Sequence, residues 1–324
     1  MQWSLTLRSS ANGETLRSQT KLPAWVTSGR AETLETVAFR SGSALTLLDA
    51  LMTHPEHGVP VKLFANSLAL KAATATSKLE GRLAREVDIR DAFHLTPPGD
   101  AQGPDGQLLA FWRDAARVPL KGLDRHAACS VLVGKAMAAD FANWLEIGQS
   151  HSLTHGPLAA CVAIMRAVLA VDERAERMAC LASDMVLARY LNWPKILPVS
   201  ARYLTKAMLR ELGDDRQRGD LVAQQCILRS AEAGIQLARD LAERSWALRA
   251  IAPKLRAKGA AHAVCVFLSE DAVAPSAMLS PVIQGSDTPM TDRAARRFCD
   301  RLVELGVARE LTGRPTFRLY GIAS

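Results

Sequence analysis

Residues that favour sheets are scarce: Phe, Trp and Tyr together make up 5% of the 324 positions. Strands prefer aromatic and β-branched side chains, whereas the Ala and Leu that dominate here lose little freedom in a helix. The deficit excludes an all-β fold and predicts a mainly α protein. Closely spaced cysteines are missing too. Cys129, Cys161, Cys180, Cys226, Cys265 and Cys299 are scattered with no C-x-x-C pair, and most sit inside apolar helical runs. Free cysteines in such runs behave as small hydrophobes. The first residues, MQWSLTLRSSANGETLRS, lack the apolar stretch of a secretion signal. The most apolar stretch, 156–171, contains Arg166 and is short for a bilayer. These absences together predict a cytoplasmic protein that does not engage a membrane.

Chemistry-bearing motifs are equally sparse. The sequence holds no G-x-x-x-x-G-K-[ST] loop, no G-x-G-x-x-G loop, and no Ser or Cys nucleophile motif. No catalytic residue and no cofactor is therefore assigned, and the expectation is a protein that is not an enzyme. His151 and His155 stand four apart, a spacing that suits metal ligands on a helix face, but Gly156-Pro157 follows and predicts a loop there. No metal is expected. His54 and His57 flank Pro55 and read as a turn. Asp49, Asp88, Asp91 and Asp184 all fall in predicted helices. Surface pairs with Arg85, Arg90 or Arg189 account for them better than a carboxylate cluster does.

What is present is helical periodicity. Apolar residues make up 48%, enough for a large core. Residues 1–30 read as an N-terminal arm, and residues 31–252 as an all-helical domain. Its predicted helices run from about Ala31 to the break at His54-Pro55, from Pro60 to about Leu79–Gly81, and over about Leu83–Phe93. The segment 96–106, TPPGDAQGPDG, reads as a loop. Further helices are predicted over Gln107–Val118, Asp124–Ile147, Pro157–Val171, Glu173–Leu191, Ala201–Leu212 and about Arg218–Ala250. Short connections imply a multi-helix bundle or array. Trp112, Trp144, Trp193 and Trp246 are expected to pack between helices.

From Pro253 the pattern changes, and 253–324 reads as a small winged-helix-like module. A helix over 254–268 presents Ala261, Val264, Cys265 and Leu268, and a short second helix begins near Pro275. Thr291 then caps a third helix whose Ala295, Phe298, Leu302 and Leu305 form one stripe, ended by Gly306. Alternation over 307–312 and 316–321, with Gly313-Arg314-Pro315 between, predicts one β-hairpin. Arg293, Arg296 and Arg297 lie opposite the apolar stripe, and Arg314 sits at the hairpin tip. In a winged helix those are the places that meet base edges and phosphates, and Arg suits both. The bland alternative is a solvated face with an Arg296–Asp300 pair. The formal net charge of +7 favours an acidic partner.

The strings LALKAATATSKLEGR, DAFHLTPPGDAQGPDG, APKLRAKGA and TDRAARRFCDRLVELGVARELTGRPTFRLYG resemble the bacterial family catalogued as domain of unknown function 1403. The resemblance implies a bacterial protein and brings no activity with it. A shorter likeness joins Thr76-Ser77-Lys78-Leu79-Glu80-Gly81 to the S/T-x-x-x-E-G/N motif of the inhibitory helix in Fic adenylyltransferases. The HPFxxGNGR signature of those enzymes, with its histidine base, is absent, so kinship would leave Glu80 a structural relic. The leading expectation is a protein that binds double-stranded DNA through Arg293, Arg296, Arg297 and Arg314, its helical body serving dimerisation or ligand sensing. Two alternatives stand beside it: an interaction scaffold whose winged helix binds no DNA, and a divergent Fic-like enzyme.

Overall fold

The computed structural model describes residues 21–97, 99–120, 133–135, 137–214 and 216–322. Helices carry most of that chain, and the sheet is one pair of two-residue antiparallel strands near the C-terminus. After a single turn, α1 (Ala24–Thr27), comes α2 (Leu34–Thr53). Thr33 Oγ1 accepts from Thr36 N while Thr36 Oγ1 accepts from Thr33 N, so two otherwise orphaned amides are satisfied reciprocally. The helix stops at His54, before Pro55, and Pro55–His57 makes the expected turn. Pro60 then caps α3 (Val61–Leu79), which is apolar nearly all round and buried, Asn66, Ser67, Thr76 and Ser77 included.

Helix α4 (Glu86–His94) follows, then α5 (Gly103–Arg117). The predicted loop over 96–106 is thus too long, because 103–106 already form the first turn of α5. Proline at a first-turn position sacrifices no helical hydrogen bond. Gly106 lets the two helices touch, since a Cβ there would lie 3.1 Å from the Ala92 carbonyl oxygen. The helix expected over 124–147 lies partly outside the described residues. Its described part belongs to α6 (Ala138–His155), which runs past Ile147 and includes His151 and His155. The break comes only at Gly156, with φ +83, and α7 (Pro157–Val171) starts directly after it. Next come α8 (Glu176–Tyr190), α9 (Lys206–Asp214) and the 36-residue α10 (Arg216–Ile251). At 1.5 Å per residue α10 is about 54 Å long.

Sequence neighbours pack on one another: α4 on α5, α6 on α7, α7 on α8, and α9 on α10. Long-range packing of α2 on α10, and of α3 on α5 and α10, closes the array. Trp112 and Trp193 are buried, and Trp144 packs half-buried against the core. Trp246 departs from expectation, remaining 51% exposed with its indole edge against Gly58. No described helix is long and apolar enough to cross a membrane.

The buried carboxylate of Asp184 orders the α8–α9 connection. Its Oδ1 accepts from Val199 N, Ser200 N and Ser200 Oγ at 2.7–3.0 Å, while Oδ2 is buried without a partner. Burial raises its pKa to about 7, although the three hydrogen bonds pull the other way. The four aspartates do not converge. Asp49 accepts from Trp193 Nε1, Asp88 pairs with Arg85, Asp91 pairs with Arg90, and Asp184 holds its loop instead of Arg189.

After the turn at Ala252–Lys254, α11 covers only Ala260–Phe267. Its buried face is Ala260, Ala263, Val264, Val266 and Phe267; the expected Ala261 and Cys265 point outward. The short second helix is a π-type turn, Pro275–Leu279, followed by α12 (Asp292–Glu304). Strands β1 (Arg309–Glu310) and β2 (Tyr320–Gly321) pair in the register Arg309↔Gly321 and Glu310↔Tyr320. The strands are shorter than predicted and the loop between them longer. On its other edge Tyr320 exchanges both backbone hydrogen bonds with Val273, at 2.7 and 3.0 Å. Gly321 is required there, because a Cβ would lie 2.8 Å from the Asp271 carbonyl oxygen.

This segment is fastened to the helices before it by a buried charge cluster. Arg113, on α5, pairs through Nη2 with Glu270 and donates through Nη1 to Asp271 Oδ1 at 3.1 Å. His94 Nε2 lies 3.1 Å from the same Nη1 and 3.3 Å from Asp271 Oδ1. Lys62 reaches Glu270 from the rim at 3.3 Å, and Asn66 Nδ2 donates to the Ser269 carbonyl at 2.7 Å. Burial pushes the Asp271 carboxyl up, but His94 and the Arg113 guanidinium overcome it and hold the group below its ordinary value. Around the cluster one connected set of buried apolar side chains runs from Val37 to Ile322.

Two outcomes are expected. Arg113→Met leaves two carboxylates buried without their cation and should lower unfolding free energy in urea by about 3–5 kcal/mol; a loss under about 1 kcal/mol would contradict the cluster's role. Asp184 has a folded pKa above its unfolded one, so the unfolded chain loses its proton first. Stability therefore falls as pH rises from the ordinary 3.8 to about 7 and is flat above. Asp184→Asn removes that dependence, so the melting temperature of the variant relative to the parent should climb between about pH 4 and pH 7 and level off above. A constant difference would refute it.

Candidate nucleic-acid interface

The last long helix is built by its sequence. Thr291 Oγ1 accepts from Ala294 N at 3.3 Å, and Asp292 in the first turn suits the positive end of the helix dipole. Ala295, Phe298, Cys299 and Leu302 are buried, whereas Leu305, expected in the stripe, is 37% exposed. Gly306 ends the helix at φ +70.

Arg293, Arg296 and Arg297 are all exposed on the outer face. Arg296 pairs with Asp292 at 2.9 Å, not with Asp300; Asp300 accepts instead from Tyr320 Oη at 2.9 Å. Further along, Arg301 pairs with Glu304. Among the described residues neither Arg293 nor Arg297 has a carboxylate partner, so the positive charge is concentrated in the first half of the helix.

Arg314 behaves differently. It is 55% exposed and pairs with Asp91 of α4 at 3.2 Å, while Arg90 donates to the Leu311 carbonyl at 3.0 Å. The hairpin loop thus rests on α4, and the structure brings three of the four predicted arginines together while holding the fourth against the helices. Phe317, expected beside Leu319 on the apolar face of the second strand, lies instead in the same loop, before that strand begins. It is 75% exposed and sits at φ +54, a conformation that costs a non-glycine residue about 1–2 kcal/mol. The alternation with Leu319 pointed the wrong way, since only Leu319 is buried.

The other constellations resolve into structure. His151 and His155 stack at 4.2 Å on α6, and burial, with the neighbouring His155 charge, lowers the His151 pKa. Among the described residues no group of three or more His, Cys, Asp or Glu is placed to hold a metal ion. Glu80 pairs with Arg82 at 3.0 Å and Arg177 at 2.6 Å, and Thr76 Oγ1 accepts from the buried Trp112 Nε1 at 3.0 Å. Those residues knit α3 to α5 and α8. Cys161, Cys180, Cys226 and Cys299 are buried free thiols, Cys265 is exposed, and Cys129 lies outside the described residues.

A profile of the family described as protein of unknown function (DUF1403) matches residues 10–322, nearly the whole chain. The chain belongs to this family. A comparison with curated proteins finds no match. The matched residues include both the helical array and the segment with α12 and the hairpin. Membership leaves the role of the arginine face to be argued from its chemistry.

If Phe317 is strained as its φ implies, Phe317→Gly should be more stable than Phe317→Ala by about 1 kcal/mol, because both lose the ring and only glycine relieves the backbone. Equal melting temperatures for the two variants would remove the strain.

Proposed function

We propose that residues 253–322 form a winged helix that binds duplex DNA, with the first half of α12 entering the major groove. The carrying observation is the distribution of charge. Residues 253–322 contain ten Lys and Arg against seven Asp and Glu, a net of +3. Two of the seven, Glu270 and Asp271, are buried against Arg113, His94 and Lys62. Discounting those two leaves ten cations against five acids on the outside. The order helix, paired strand at Val273, turn, helix and hairpin supports the same reading, and Arg293 and Arg297 supply the free guanidinium groups that bidentate recognition of guanine or phosphate uses. In this reading the protein works in the cytosol, carries out no catalytic step, and uses its helical body for dimerisation or ligand sensing.

Fluorescence anisotropy of the full chain with a labelled duplex tests it. Arg293→Ala with Arg297→Ala should weaken binding at least tenfold while leaving the melting temperature unchanged, since both side chains are exposed. Unchanged affinity in a folded double variant overturns the site. A second reading, a protein-docking module, is favoured by the exposed Phe317. Loss of DNA binding from no variant, with no salt-dependent binding by the parent, would leave that reading in place.

A further inference from the structure

A second group of exposed cations stands near the strap that leads into α12. Just before α11 the chain carries Lys254, Arg256 and Lys258, all exposed, while Leu255 between them packs toward the core. Among the described residues none of the three has a carboxylate partner. The residues that follow this segment touch the strap that leads into α12. Gly259, at φ +82, is so close to the strap leading into α12 that a Cβ would lie 2.7 Å from Ile283 Cδ1 and 2.8 Å from Thr288 Cγ2. His262 Nδ1 lies 2.9 Å from Thr288 Oγ1. Thr288 is three residues before the Thr291 cap, a reach of at most about 10 Å of extended chain.

We propose that Lys254, Arg256 and Lys258 form a second phosphate-contacting element of the interface. The inference rests on the DNA-binding reading and adds a site to it. With α12 in a major groove about 12 Å wide, the phosphates bordering that groove are the anionic groups such a flanking strip would meet. The chemistry separates the two elements. Arg293 and Arg297 sit where base edges are met, whereas flexible lysines flanking a groove make point-charge contacts with the backbone. Asp287 is the only acid on the connecting strap, and Asp292 is occupied by Arg296, so phosphate would meet little opposing charge.

Each phosphate neutralised contributes a slope of about −0.9 to log affinity against log salt. Anisotropy titrations of the full chain across salt should therefore show the slope of Lys254→Gln/Arg256→Gln/Lys258→Gln shallower than the parent's by up to about 2.7. The charge-preserving variant Lys254→Arg/Arg256→Lys/Lys258→Arg should retain the parent slope. A control, Arg174→Gln/Lys195→Gln/Arg210→Gln, lowers net charge equally, from +7 to +4, at exposed positions on other helices and loops. It should leave the slope unchanged. An unaltered slope in the 254–258 variant overturns the second element while leaving α12 binding intact, as does an equal loss in the control. A parent protein that shows no salt-dependent binding overturns both the element and the reading it rests on.

Discussion

The Arg113 guanidinium, out of reach of water and closed in by Glu270, Asp271 and His94, is the constraint on which the arrangement turns. A charge in that position is tolerable only while its partners are in place, because an unpaired buried ion costs several kcal/mol. The partners come from a different part of the chain: Arg113 and His94 from α5 and α4, the two acids from the turn after α11. The pairing fixes where Val273 lies, Val273 aligns β2, and Tyr320 on β2 reaches back to Asp300 of α12. The orientation of the arginine face thus descends, bond by bond, from a buried guanidinium on α5.

Much of the helical architecture was legible from periodicity and punctuation. Pro60, Gly156-Pro157, Thr291 and Gly306 mark real ends because each has a local backbone cause: a missing N–H, a positive φ, or a hydroxyl cap. The errors share a different cause. The turn at 103–106 is helical because α4 packs against Gly106, and α6 continues through His155 because Gly156 alone breaks it. Neither follows from local preference. Leu305 and Ala261 were misplaced by one step of a wheel, since the buried arc is set by the partner surface. The charge cluster was invisible for the same reason. Glu270 and Asp271 read as ordinary polar residues after a helix, and Arg113 as one of many arginines.

The candidate interface divides along that line as well. The exposure of Arg293, Arg296 and Arg297 on one outer face was legible because a helical wheel places side chains within one element correctly. Arg314 was assigned to a free tip, yet its carboxylate partner Asp91 is distant in sequence and close in space. Burying two acids of the same segment against the helices changes its surface balance without altering its composition, an effect that net charge alone does not reveal.

The Arg113 cluster also bears on how such a protein can change over generations. A domain with its own closed core could in principle fold apart from its neighbours. Here a transplanted C-terminal segment would carry Glu270 and Asp271 into a new host without a counter-ion, and the helical array left behind would hold Arg113 bare. A cut near Pro253 would therefore leave buried charge uncompensated on both products at once.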